Sequence, residues 1–207
     1  MLNIAVLVSG GGTNLQALID TQNRGEIING RITCVISSKP GVYALERAEK
    51  ANIPSAVIAR SEYPDIRSYT AAITKELLNR KADLVVYAGF MTILDEQIVK
   101  AFPGKMMNVH PALIPSFCGK GFYGLHVHEA ALEKGVKLTG ATVHFVTEEC
   151  DGGPIILQKA VPVLNGDTPE SLQKRVIQEC EWKILPEAVS LFCQGRIRII
   201  GNKTEII

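Results

Sequence analysis

Two short stretches of this 207-residue chain place polar side chains where acyl or phosphate chemistry could use them. In Asn108-Val-His110-Pro111 a carboxamide and an imidazole stand two residues apart. Side chains alternate across a strand, so residues two apart share a face. A strand stopped by Pro111 projects Asn108 and His110 together from its C-terminal end, where open parallel sheets bind ligands. An amide donates to an oxygen that is gaining charge, and an imidazole carries or delivers a proton near neutral pH. An isolated histidine is more often satisfied by backbone in a core, but a strand-end position favours the chemical reading.

The second stretch, Gly10-Gly11-Gly12-Thr13-Asn14, falls between an apolar run and a segment of helical spacing. Glycines let backbone approach a ligand, and the free N–H groups of a helix start form a ready anion site. Thr13 or Asn14 is the expected N-cap. No Gly-Lys-Ser/Thr follows, so this is not a P-loop. Leu15 stands where a dinucleotide fingerprint has its third glycine, and Ser37, Ser38 and Lys39 replace the acid that would meet a ribose. A single phosphate fits best; the plain alternative is a tight turn.

Asp151-Gly-Gly-Pro154 is an ordinary turn by composition. It gains chemical meaning if Asp151 faces His110, where a carboxylate raises an imidazole pKa above about 6.5. The remaining candidates are weaker. His126-Val-His128-Glu129 opens a helix and lacks a ligand partner at useful spacing, so no metal is expected. His144 reads as a packed strand residue and Trp182 as helix packing. Glu181 is ambiguous, because a glutamate on a helix surface is commonplace. Cys118 and Cys150 border the site loops without a base and orienting group for a thiol nucleophile.

The elements that must position these residues alternate. Ile4 to Val8, Ile32 to Ile36, Ala56 to Ile58, Leu84 to Ala88 and Met106 to His110 are strand-like. Helical spacing follows Thr13 and recurs over Tyr43 to Ala51 and Ile66 to Asn79. That alternation predicts a parallel sheet with right-handed crossovers. Lys137 to Val146 and Ile155 to Leu164 are joined too closely for a crossover and are expected to pair antiparallel. A helix from Pro169 to about Phe192 should kink near Pro186. The tail, Arg196 to Ile200, is read as an edge strand. The expected fold class is therefore α/β: a single Rossmann-like domain over residues 1–207, mostly parallel, with an antiparallel C-terminal part.

Bulk properties narrow the function class. Lys plus Arg number 22 against 21 for Asp plus Glu, a net charge of +1, which offers no bulk attraction to nucleic acid or an acidic membrane. Five scattered cysteines without a C-x-x-C pair read as reduced thiols of a cytoplasmic protein. No apolar stretch approaches the roughly 18 residues of a membrane span, and the apolar start is too short for a signal peptide.

Ser9-Gly-Gly-Gly-Thr-Asn-Leu-Gln16, Ala88-Gly-Phe-Met-Thr-Ile-Leu94, Asn108-Val-His-Pro-Ala-Leu-Ile-Pro115, Gly140-Ala-Thr-Val-His-Phe-Val146 and Asp151-Gly-Gly-Pro-Ile155 occur in that order. Together they closely resemble the phosphoribosylglycinamide formyltransferases, the folate-dependent enzymes of purine synthesis, over nearly the whole chain. The resemblance implies the formyltransferase fold. It also implies transfer of the formyl group of 10-formyltetrahydrofolate, as co-substrate and without metal, to the amine of phosphoribosylglycinamide. Gly12, Thr13 and Asn14 would hold the phosphate, and Glu181 would meet the glycinamide. Met91, Thr92, Ile93, Leu94 and Val99 would line the folate pocket with Asn108, Glu148, Glu149, Cys150 and Asp151. Asn108, His110 and Asp151 would be the catalytic set, with Asp151 raising the His110 pKa.

Three departures from the family pattern stand out, one being an arginine expected before the long helix that falls out of register. Thr92 occupies a position commonly arginine. The loop Phe117 to Gly124 is longer and richer in glycine than usual, as expected of a mobile lid, with Lys120 facing the substrates' negative groups. Methionyl-tRNA formyltransferase and formyltetrahydrofolate hydrolase share the fold but carry an additional C-terminal or N-terminal domain, for which this sequence shows no counterpart. A non-catalytic nucleotide-binding module is the rival from another class. It would bind a phosphate ligand without transferring formyl groups.

Overall fold

The computed structural model describes residues 1–207. Strand β1 (Leu2–Val8) shows why the sheet is covered on both faces. Ile4, Val6 and Val8 pack to one side, and Ala5 and Leu7 to the other, all fully buried. Helices α1 (Thr13–Asn23), α2 (Tyr43–Lys50), α6 (Pro169–Val176) and α7 (Trp182–Cys193) bear on the first core. Helices α3 (Ile66–Asn79) and α4 (Gln97–Ala101) bear on the second, through Tyr69, Ile73, Leu77 and Ile98. Burying a side chain of this size stabilises by about 1.5–3 kcal/mol. No helix is long and apolar enough to cross a membrane.

The remaining strands are β2 (Gly30–Ser37), β3 (Ser55–Val57), β4 (Leu84–Tyr87), β5 (Met106–His110), β6 (Leu138–Phe145) and β7 (Ile155–Pro162), and α5 (Leu125–Glu133) follows β5. They form one seven-stranded sheet in the order β3-β2-β1-β4-β5-β6-β7. The first five strands of that order run parallel, whereas β6 pairs antiparallel with both neighbours. The strand order reverses between β1 and β4, the crevice where such sheets bind ligands. Ser9, just past β1, ties its edges together. Its Oγ accepts from Met91 N–H at 3.0 Å and lies 2.7 Å from Ser38 Oγ.

Three sequence-based expectations are corrected. The tail does not extend the sheet: β8 (Ile197–Ile200) turns at Gly201, φ 59°, and pairs with β9 (Lys203–Ile206) in a separate hairpin. A sharp turn lets the two tail segments satisfy each other's backbone groups before either reaches a sheet edge. The C-terminal helix is interrupted by a π-helical turn over Ile177–Glu181, upstream of Pro186, which sits inside α7. Neither Thr13 nor Asn14 caps α1. Both are helical, and the cap position is Gly12, with no side-chain cap bond.

Candidate active site

A cavity of about 640 Å³ opens above the C-terminal ends of β4 and β5. Its back wall is the Asn108–His110 pair, projecting together as the strand alternation requires. The carboxylate comes from the β6–β7 turn. Asp151 adopts φ 55°, a left-handed conformation that Asp tolerates better than most residues. Gly153 permits the fold-back, because a Cβ there would lie 1.9 Å from the Phe145 carbonyl oxygen. The turn so formed sets Asp151 Oδ2 3.5 Å from His110 Nδ1 and Oδ1 3.5 Å from Asn108 Nδ2.

His144, expected as a packed strand residue, belongs to this cluster. Antiparallel pairing puts it directly opposite Asn108. Its Nε2 lies 3.3 Å from Asn108 Nδ2 and 3.5 Å from Asp151 Oδ1. The Phe145 carbonyl, 2.9 Å from Nδ1, accepts the proton there. Nε2 thus faces the Asn108 amide and the Asp151 carboxylate together. A signal for it was present in the sequence: His144 lies seven residues before Asp151, on the strand that feeds the aspartate's turn.

The Phe117–Gly124 loop crosses the cavity mouth. Phe117, at φ 49°, turns its carbonyl to accept from His110 Nε2 at 2.8 Å, and Gly119 N–H donates to Asp151 Oδ2 at 2.9 Å. Lys120 lines the cavity. The pKa expectation for His110 is overturned in its net direction. Burial pulls the imidazole below its ordinary value, outweighing the opposing pull of the Asp151 charge and the Phe117 carbonyl. For Asp151 burial acts to raise the carboxyl. The His144 hydrogen bond, the His110 charge and the Gly119 N–H outweigh it and hold Asp151 at about 2.

At the other end, Thr13 and Asn14 reach the cavity from the start of α1, directly after Gly12. Gly12 has φ 71°, and a Cβ there would be 2.7 Å from Ala44 Cβ, so only glycine fits. Asn14 Nδ2 donates to Glu181 Oε2 at 2.6 Å. Glu181 is not on the helix surface: the π turn, one residue wider than an α turn, rotates it inward until it is only 6% exposed. Burial raises its carboxyl to about 7 despite the Asn14 bond.

Met91, Thr92, Ile93, Leu94 and Val99 line one side of the cavity, and Glu148, Glu149 and Cys150 line the opposing loop. Met91 and Ile93 are exposed there, 52% and 61%, at the cavity mouth. An apolar wall facing a loop with two carboxylates suits a flat heteroaromatic ring with N–H groups along its edge. His126 points outward and pairs with Glu129 at 3.0 Å, whereas His128 is fully buried at the cavity with both ring nitrogens unpartnered. The two therefore do not converge on one point.

The sequence matches the formyl transferase family over residues 2–189. It is 42% identical to the phosphoribosylglycinamide formyltransferase of Haemophilus influenzae, over 98% of this chain and 92% of that one. It is 46% identical over 96% of its length to the trifunctional purine biosynthetic protein adenosine-3 of Bos taurus, of which it spans 19%. Glycinamide ribonucleotide transformylase 1 from Symbiobacterium toebii superposes with a TM-score of 0.94 at 44% identity, covering 100% of this chain and 94% of that structure. On sequence and architecture alike, the chain belongs to the formyl transferase family.

Proposed function

We propose that the chain transfers the formyl group of 10-formyltetrahydrofolate to the primary amine of phosphoribosylglycinamide, a step of de novo purine synthesis. One observation carries the reading. Asn108, His110 and Asp151 meet within 3.5 Å at one end of a cavity whose other end is the start of α1. A substrate with its phosphate at Thr13 and Asn14 would extend past Glu181 and bring its amine to His110. The folate ring would occupy the slot between Met91–Leu94 and Glu148–Cys150.

The amine nitrogen forms a bond to the formyl carbon while the bond from that carbon to the folate nitrogen breaks. Negative charge gathers on the formyl oxygen, where the Asn108 amide donates to it; an oxyanion donor of this kind is worth about 10²–10³ in rate. His110, held low by burial, starts neutral near neutral pH. It takes the proton shed by the attacking amine, directly or through water, and passes a proton to the departing folate nitrogen. The ionised Asp151 steadies the imidazolium between those events. Glu181, poised near neutrality, receives the glycinamide portion as a hydrogen-bonding wall.

Both substrates are small molecules, and five free cysteines suit a reducing cytoplasm. The test mixes purified protein with formyl-folate and phosphoribosylglycinamide and follows loss of formyl-folate by absorbance. Loss that requires the ribonucleotide supports transfer. Equal loss without it would identify a hydrolase, and no loss would leave a binding module.

A further inference from the structure

We infer that Arg47 is a positioning residue that aims the backbone amides of the Gly10–Gly12 turn at the substrate phosphate. The inference rests on the proposed reading of that turn as the phosphate seat. Arg47 lies on α2, not on either element that bounds the turn. Its Nε donates to the Gly11 carbonyl at 2.9 Å and its Nη1 to Gln16 Oε1 at 2.8 Å. The guanidinium is braced over the Tyr43 ring, 4.7 Å from its centroid. One turn earlier on the same helix, Ala44 N–H donates to the Gly10 carbonyl at 3.2 Å.

The consequence follows from peptide geometry. In a planar trans peptide the carbonyl of one residue and the N–H of the next point in opposite directions. With the Gly10 and Gly11 carbonyls both drawn toward α2, the N–H groups of Gly11 and Gly12 turn away from it. Those two, and the N–H groups of Thr13 and Asn14 that follow, have no partner within the protein. Consecutive unpaired amides at a helix start form an anion-binding concavity. No acidic side chain occupies the first turn of α1 to compete for it. Without the Nε bond the Gly11–Gly12 peptide is free to rotate, since neither flanking glycine restrains it sterically. Arg47 thus acts through the peptide it pins.

The test compares wild type with Arg47→Met, which keeps the stem that packs near Gly12, and with Arg47→Lys, which keeps the charge but lacks the Nε donor. Binding of inorganic phosphate is measured by calorimetry, alongside steady-state kinetics and melting temperature. A lost charge-assisted hydrogen bond corresponds to roughly tenfold in affinity. Arg47→Met is expected to weaken phosphate binding and raise KM for the ribonucleotide about tenfold. KM for formyl-folate and kcat should stay at wild-type values, and Arg47→Lys should recover less than half of the loss. A lowered melting temperature with unchanged ribonucleotide KM would overturn the inference, as would full rescue by lysine, which would reduce Arg47 to a distant charge. If wild type itself binds no phosphate, or Gly12→Ala leaves that binding unaltered, the phosphate-seat reading has failed rather than the role of Arg47.

Discussion

Asn14, in the first turn of α1, donates a 2.6 Å hydrogen bond to Glu181, 167 residues later at the end of the π turn. This bond joins the phosphate end of the cavity to the C-terminal helix. Burial, working against that bond, raises the Glu181 carboxyl to about 7.

Glu181 should therefore impose a pH dependence on stability. Its folded pKa is raised, so the stabilisation is complete below about 4.5, the ordinary value, and is lost as pH rises through about 7. The window is worth on the order of 3 kcal/mol. His128, pulled down to about 4 by burial, acts with the opposite sign between about 4 and 6.5. The difference between Glu181→Gln and wild type isolates the glutamate. In urea titrations from pH 4.5 to 8 the variant should gain on wild type as pH rises. Parallel curves would refute the buried, elevated carboxyl.

His110→Ala should lower kcat by about 10²–10⁴, the usual worth of a general acid–base group. Affinity for the ribonucleotide should be largely retained, because the phosphate seat lies at the other end of the cavity. Single-turnover kinetics with calorimetric ribonucleotide binding would separate the two. Near-normal turnover would remove His110 from the chemistry.

His144→Ala should shift the acid limb of kcat/KM upward. Its hydrogen bond is the largest influence holding the Asp151 carboxyl down against burial. With that bond gone the carboxyl protonates at higher pH, and activity requiring an ionised Asp151 falls off sooner as pH drops. Carboxyl-carbon NMR of Asp151 followed from pH 2 to 6, beside the pH–rate profile, decides it; an unmoved carboxyl titration would mean that His144 only packs.

Gly12→Ala should damage stability and phosphate affinity together. The substitution strains a left-handed residue and drives a methyl group to 2.7 Å from Ala44 Cβ. Left-handed strain and overpacking each cost about 1–3 kcal/mol. Thermal unfolding and the ribonucleotide KM should both change. A variant of normal melting temperature would show that α2 yields freely.

Local sequence determined much of this protein. The apolar run of β1, the glycines after it and the proline after His110 fix strand ends and a turn, because those preferences act within a few residues. Two-residue spacing likewise makes Asn108 and His110 neighbours on one strand face. Tertiary structure alone decided what met them. The β5–β6 register put His144 opposite Asn108, and the tight Asp151–Gly153 turn brought a carboxylate 43 residues away into contact. A π turn put Glu181, ambiguous by residue type alone, into the cavity, and burial, a property of the whole packed molecule, reversed the net pKa direction of His110. Periodicity reports which face a residue takes. Register, helix irregularity and desolvation depend on partners distant in the chain, and no local pattern encodes those.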